Sequence, residues 1–163
     1  ENLQNGAPSR VIFVNSEAHR FGGINIKDLN WRRRPYIGLL AYGAAKIAQI
    51  QTALFLAEKY KESDVTFNLM HPGAVRSNIG MNNPLLYRLY NRYILHWFLK
   101  DPVQSAKSIY YLSAEPIIAK VTGKYFNRTI EEKPAWYSVR PEMREAVYNR
   151  SVDLIKSYME GNR

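Results

Sequence analysis

Tyr42 and Lys46 stand four residues apart in Tyr42-Gly43-Ala44-Ala45-Lys46, a spacing that puts a phenol and an ammonium on one face of a helix. A phenol titrating near about pH 10 is a poor base at neutrality. A fixed cation within a few ångströms favours the phenolate and brings proton exchange with an alcohol or carbonyl oxygen within range. Of the twelve tyrosines only Tyr42 has a lysine four residues on, although a surface aromatic beside a solvated lysine has the same spacing. Ser16 follows an apolar run, where a hydroxyl can donate to a substrate oxygen or simply serve a turn. His71-Pro72-Gly73 turns the backbone tightly and exposes main-chain groups to a ligand; alone, a Pro-Gly turn carries no chemistry.

These residues need elements to hold them. Arg10 to Asn15 is a short, β-branched apolar run, which predicts a strand buried on both faces. Gly22 and Gly23 mark a loop. Ala41 to Tyr60 has no proline and a wide apolar stripe, predicting a long helix packed on a sheet. Val65 to Met70 reads as a second strand. Strand, helix and strand make a βαβ unit with a right-handed crossover, in which ligands sit beyond the carboxyl ends of the strands. The loops after Asn15 and after Met70 both leave from that edge. Further on, Asp101-Pro102 supplies an N-cap and first helical residue for a helix to about Ala114, Gly123 to Asn127 reads as a short strand, and Pro141 to Met159 as a closing helix. There is no internal repeat, low-complexity segment or linker, so one domain is expected.

The bulk composition narrows the classes. The 163 residues are 46% apolar and 23% charged, ordinary for one globular domain. No run approaches the roughly 18 to 20 uncharged apolar residues of a membrane span. Glu1 to Gly6 lacks the basic and apolar regions of a secretory signal and reads like the tail of a helix. With no cysteine, disulfides and thiolate metal sites are excluded. His19, His71 and His96 lack ligand spacing, so no metal site is expected. Asn127-Arg128-Thr129 and Asn149-Arg150-Ser151 match the glycosylation acceptor pattern, read as chance. The net charge of +9 favours anionic partners. The positives are scattered and no nucleic-acid motif accompanies them, so nucleic acid is not expected.

Four ordered phrases make the combination specific: Val14-Asn15-Ser16-Glu17-Ala18-His19-Arg20-Phe21-Gly22, Ala41-Tyr42-Gly43-Ala44-Ala45-Lys46, His71-Pro72-Gly73-Ala74-Val75-Arg76-Ser77 and Gly123-Lys124-Tyr125-Phe126. Together they resemble the short-chain dehydrogenase/reductase family over nearly the whole chain. The retinol-dehydrogenase-like branch is most similar, and the long gap holding Asn25-Ile26-Lys27-Asp28-Leu29 fits it. The resemblance implies an α/β fold, the C-terminal half of a Rossmann-type doubly wound parallel sheet with flanking helices. Residues 1–163 would be the C-terminal portion of one dinucleotide-binding oxidoreductase domain.

It further implies hydride transfer between a nicotinamide cofactor, NADP or NAD, and a lipophilic alcohol, aldehyde or ketone. Tyr42 would be the general acid/base, Lys46 would assist it and bind the nicotinamide ribose, and Ser16 would hold the substrate oxygen. Pro72, Gly73, Val75 and Ser77 would lie against the nicotinamide. The aromatic and basic stretch 83–100 would be a substrate lid with possible peripheral membrane contact, in the cytoplasm or on the cytosolic face of the endoplasmic reticulum. Two positions depart from the pattern: Asn15 and Ser77 stand where the family usually has Ser and often Thr. The glycine-rich turn for the pyrophosphate and the family's Asn-Ala-Gly phrase do not occur, so an N-terminal half is expected as partner and the chain alone is expected to be inactive. The alternative is a non-catalytic, dehydrogenase-like binding protein that works through its basic surface.

Overall fold

Alternation along Val65–His71 decides the architecture, because its side chains must be buried on both sides at once. The structure, a computed structural model, describes residues 2–73 and 102–160. Strands β1 (Ser9–Val14), β2 (Val65–His71), β3 (Tyr125–Asn127) and β4 (Ile130–Glu131) form one sheet in that order. The first three are parallel, with Val14 opposite Met70 and Leu69 opposite Tyr125, and β4 returns antiparallel to β3. Helices α1 (Asn2–Asn5), α2 (Gly38–Lys59), α3 (Pro102–Ala114) and α4 (Pro141–Glu160) complete the regular elements, with short 3₁₀ turns between them.

The two faces of the sheet carry separate cores. On one, Leu69 and Tyr125 pack with Ile50 and Ala53 of α2, and Phe67 and Val65 pack with Ala57. On the other, Met70 and Phe126 pack with Leu112 of α3. Alternate side chains of β2 therefore point to opposite helices, as period-2 geometry requires. That is a doubly wound α/β arrangement. Helix α4 lies along α2, where Val147 is fully buried and Tyr148 sits against Phe55 with ring centroids 4.7 Å apart.

Two expectations change. Strand β1 is not buried on both faces: its residues are half-exposed and Val14 is 42% exposed, because β1 is the edge of the sheet among the described residues. Sequence periodicity reports the burial a strand is built for, not whether a neighbour is present to provide it. No sequence pattern predicts strand β4. Its two residues are too few for a pattern, and the turn before it passes through Arg128 in the left-handed region (φ 59°). The capping residue Asp101 lies outside the described residues.

One backbone approach positions α2. A Cβ on Gly22 would lie 2.4 Å from the Gly43 carbonyl carbon, and a Cβ on Gly43 would lie 2.6 Å from the Ala18 carbonyl oxygen. The loop after β1 and the first turns of α2 thus touch main chain to main chain. Gly23 has nothing within 4 Å of its virtual Cβ, so the adjacent glycines differ in kind. Gly43→Ala should destabilise the fold by about 1–3 kcal/mol through overpacking, whereas Gly23→Ala should stay within about 0.5 kcal/mol. Thermal and denaturant unfolding check both, and equal effects would contradict the close approach.

Candidate functional site

The end of β1 sets the position of Ser16. The Asn15 amide N–H donates to the Met70 carbonyl at 2.7 Å, so β1 and β2 stay paired up to the loop. Ser16 is extended (φ −154°, ψ 152°) and caps the 3₁₀ turn Glu17–Arg20. Its Oγ accepts from the Ala18 N–H at 3.2 Å. An oxygen used as acceptor keeps its own proton for donation, so the hydroxyl can cap the turn and still donate to a bound oxygen.

The turn Glu17–Arg20 rests on α2, which carries Tyr42 and Lys46. Lys46 Nζ donates to the Val14 carbonyl at 3.0 Å and to Gln49 Oε1 at 3.4 Å. Two acceptors leave one of its three N–H donors for a ligand. The ammonium stands 5.6 Å from the centroid of the Tyr42 ring, one helical turn away. Burial pushes the Lys46 ammonium below its ordinary value. Tyr42 is 45% exposed, so its phenol is open to an incoming molecule. Lys46 is thus tied to the last residue of β1, just before Ser16, and Tyr42 sits one turn from it on α2 beside the Gly22–Gly43 contact, with Pro72 and Gly73 at the same end of the neighbouring β2. Gly73 has a positive φ of 88°, which suits glycine, and the Pro72 carbonyl accepts from Ser105 Oγ at 2.8 Å. Val75, Ser77 and the stretch 83–100 lie outside the described residues.

Three groups escaped the motif reading. Asn15, 3% exposed, donates through Nδ2 to the Lys46 carbonyl at 3.1 Å and to Gln49 Oε1 at 2.8 Å, while its Oδ1 accepts from the Ser16 N–H at 2.9 Å. A serine is too short for all three contacts, so the amide at this position has a structural use. Gln49 is the shared acceptor of Asn15 and Lys46; its signal was its place one turn beyond Lys46. His19 is fully buried, and its ring lies 2.8 Å from the Ser16 carbonyl.

A second polar group surrounds the same edge. Arg20 bonds Glu17 at 2.6 Å and Glu132 at 2.7 Å, and Asn127 Nδ2 donates to Glu132 at 2.9 Å. Asn127 of the glycosylation-like pattern thus has its amide engaged inside the fold. Burial opposes ionisation of Glu17, but the hydrogen bond and charge of Arg20, with His71 and His19, outweigh it and hold the carboxyl below its ordinary value. Burial pushes the His71 imidazole down against the pull of the Glu17 charge, and its Nδ1 is buried with no hydrogen-bond partner among the described residues. Two further phenols stand here: Tyr137, whose Oη donates to the Arg20 carbonyl at 2.7 Å, and Tyr125. Burial, then the Glu17 and Glu132 carboxylates, push the latter well up, so it stays protonated and is no base. Unlike Tyr125, Tyr42 has an ammonium beside it and an open face. Surface cavities of about 370 Å³ (beside Trp136 and Arg140) and about 300 Å³ (between α2 and α4) are lined by none of Ser16, Tyr42 or Lys46, so neither is this site.

No family model matches the chain. Human retinol dehydrogenase 14 is 37% identical over 135 residues, 80% of this chain and 39% of that protein. Mouse retinol dehydrogenase 13 is 30% identical over 159 residues, 95% of this chain and 48% of that protein. The chain spans less than half the length of both curated relatives. A crystal structure of an uncharacterised protein from Mycobacterium paratuberculosis superposes with a TM-score of 0.65 at 23% identity, over 91% of this chain and 50% of that one. That likeness concerns the fold.

The Glu17 ion pair gives a signed pH dependence. Its folded value lies below the ordinary 4.5, so the folded chain holds this proton less tightly than the unfolded one. The resulting stability is complete above the ordinary value and is lost as pH falls through the folded value. Glu17→Gln should therefore flatten the loss of Tm between about pH 5 and about pH 3. Acid titration by circular dichroism checks it; an unchanged slope would count against the pair.

Proposed function

We propose, from the premise that the chain belongs to the short-chain dehydrogenase/reductase family on the retinol-dehydrogenase-like side, that it carries the proton-transfer half of an oxidoreductase acting on a lipophilic alcohol, aldehyde or ketone. The observation that carries this reading is the Lys46 ammonium, fixed by the Val14 carbonyl and Gln49 and placed 5.6 Å from the Tyr42 ring, on the helix docked against the Ser16 turn.

In alcohol oxidation the substrate O–H proton passes to Tyr42 Oη as the carbon gives up hydride. In carbonyl reduction Tyr42 returns that proton to the oxygen. Lys46 stabilises the phenolate through its charge, and the Ser16 hydroxyl donates to the substrate oxygen where negative charge develops. A nicotinamide cofactor, NADP or NAD, supplies or accepts the hydride when bound. The residues present suit its nicotinamide ribose end: Lys46 retains a free donor, and the Pro72-Gly73 turn stands beside β1. A glycine-rich pyrophosphate turn is not part of this chain, so the rest of the cofactor needs the N-terminal half of the longer protein. The half-exposed apolar edge of β1 suits strand pairing with that half.

A lipophilic substrate fits the name of the relatives and the Leu, Tyr and Trp content of 83–100, which we assign as a lid. Contact with a membrane surface would serve such a substrate. Among the described helices, α2 is long and apolar enough to cross a membrane, but here it packs on the sheet through Ile50, Ala53 and Ala57.

In the full-length protein Tyr42→Phe should lower turnover of retinal with NADPH or NADH by about 10²–10⁴-fold and leave nucleotide affinity nearly unchanged. Steady-state rates and fluorescence titration measure the two. Undiminished turnover would remove the mechanism, and failure of the parent protein to bind either nucleotide would favour a non-catalytic binding protein.

A further inference from the structure

We propose that His19 is the positioning residue for Ser16, holding the Ser16 peptide between β1 and the chain segment at Ala135. The inference rests on the oxidoreductase reading for its functional consequence, though its geometry stands apart from it.

His19 is fully buried, an expensive place for an imidazole unless both nitrogens are bonded. Both are. Nε2 lies 3.2 Å from the Ala135 amide nitrogen, and Nδ1 lies 2.8 Å from the Ser16 carbonyl oxygen. An amide N–H can only donate, so Nε2 must be the bare acceptor. The ring proton then sits on Nδ1 and donates to the Ser16 carbonyl. The two contacts fix one tautomer.

The Ser16 carbonyl also accepts from the main-chain N–H of His19 at 3.2 Å. Two donors from one residue thus grip a single oxygen, one from the backbone and one from the ring. The ring is itself held edge-on by Tyr125, with centroids 5.3 Å apart. On the other side of Ser16, Asn15 Oδ1 takes the Ser16 N–H. The peptide groups before and after the serine are therefore both fixed, and the placement of Oγ follows from them.

A leucine could fill the volume, but it would leave the Ala135 N–H and the second lone pair of the Ser16 carbonyl without these partners. The choice of histidine is explained by the need to link two backbone groups 119 positions apart in sequence, from Ser16 to Ala135. His19 touches no reacting atom in this account. It acts through Ser16, and a displacement of about 1 Å at a substrate-positioning group can cost about 10²-fold in rate.

The test uses the full-length protein. Nitrogen-15 NMR of the histidine rings should find His19 protonated at Nδ1 and bare at Nε2; a proton on Nε2 would overturn the bridge whatever the enzyme does. For kinetics, with retinal and NADPH or NADH, His19→Asn places an amide N–H where Nδ1 was, while His19→Gln keeps only an acceptor toward Ala135. His19→Gln should lower kcat by about 10–100-fold with nucleotide affinity unchanged, and His19→Asn should recover most of that loss. In a Ser16→Ala background His19→Gln should cost little more, since its effect passes through the serine. Equal losses in both His19 variants that track their melting temperatures, or a full additional loss in the Ser16→Ala background, would reduce His19 to a packing residue. Should Tyr42→Phe keep its turnover in the same assay, the oxidoreductase reading falls while the NMR result still decides the bridge.

Discussion

The contact of Gly22 with Gly43 is the constraint on which the candidate site depends. Helix α2 reaches the loop after β1 only because neither residue carries a side chain there, and either Cβ would fall within 2.6 Å of main-chain atoms. Tyr42 immediately precedes this contact, and Lys46 follows it by less than one turn. The glycine pair therefore sets how near the phenol stands to the Ser16 turn, and how far Lys46 can lean toward the end of β1. A side chain at either position would push the helix outward and loosen every later distance in the site.

Around that contact, two sets of polar bonds divide the work. Asn15, Gln49 and Lys46 tie the strand end to the helix through amides, and the Val14 carbonyl takes the ammonium. Glu17, Arg20, Glu132 and Asn127 tie the 3₁₀ turn to the region of β3 and β4. In the first set Asn15 is buried, while the bond from Lys46 to the Val14 carbonyl is open to water. The second is half-exposed, where each ion pair alone is worth about 0.2–1 kcal/mol, so it steadies the loop by being a network. The sequence separation it spans explains why the last third of the chain matters to a serine near its start.

Much of this was legible in the amino-acid sequence, and the exceptions are instructive. The βαβ unit and the long helix follow from local pattern, since β-branched runs and a proline-free apolar stripe leave few alternatives. That the loops after Asn15 and Met70 leave from one edge follows from βαβ geometry, since β1 and β2 run parallel with Val14 opposite Met70. Gln49 and His19 were not legible as parts of the site, because each acts on a backbone group or side chain from a distant element. The distinct jobs of Gly22 and Gly23 were equally hidden, since only the position of α2 separates them. The half-exposure of β1 was missed because an apolar strand is written for a neighbour that the described residues do not supply.

The most direct measurement is a crystal structure of the full-length protein with a nicotinamide nucleotide and an unreactive lipophilic alcohol. The account predicts the alcohol oxygen within about 2.6–3.2 Å of both Tyr42 Oη and Ser16 Oγ, with Lys46 Nζ on the nicotinamide ribose. An alcohol oxygen bound away from Tyr42 and Ser16, with the nucleotide in place, would contradict it.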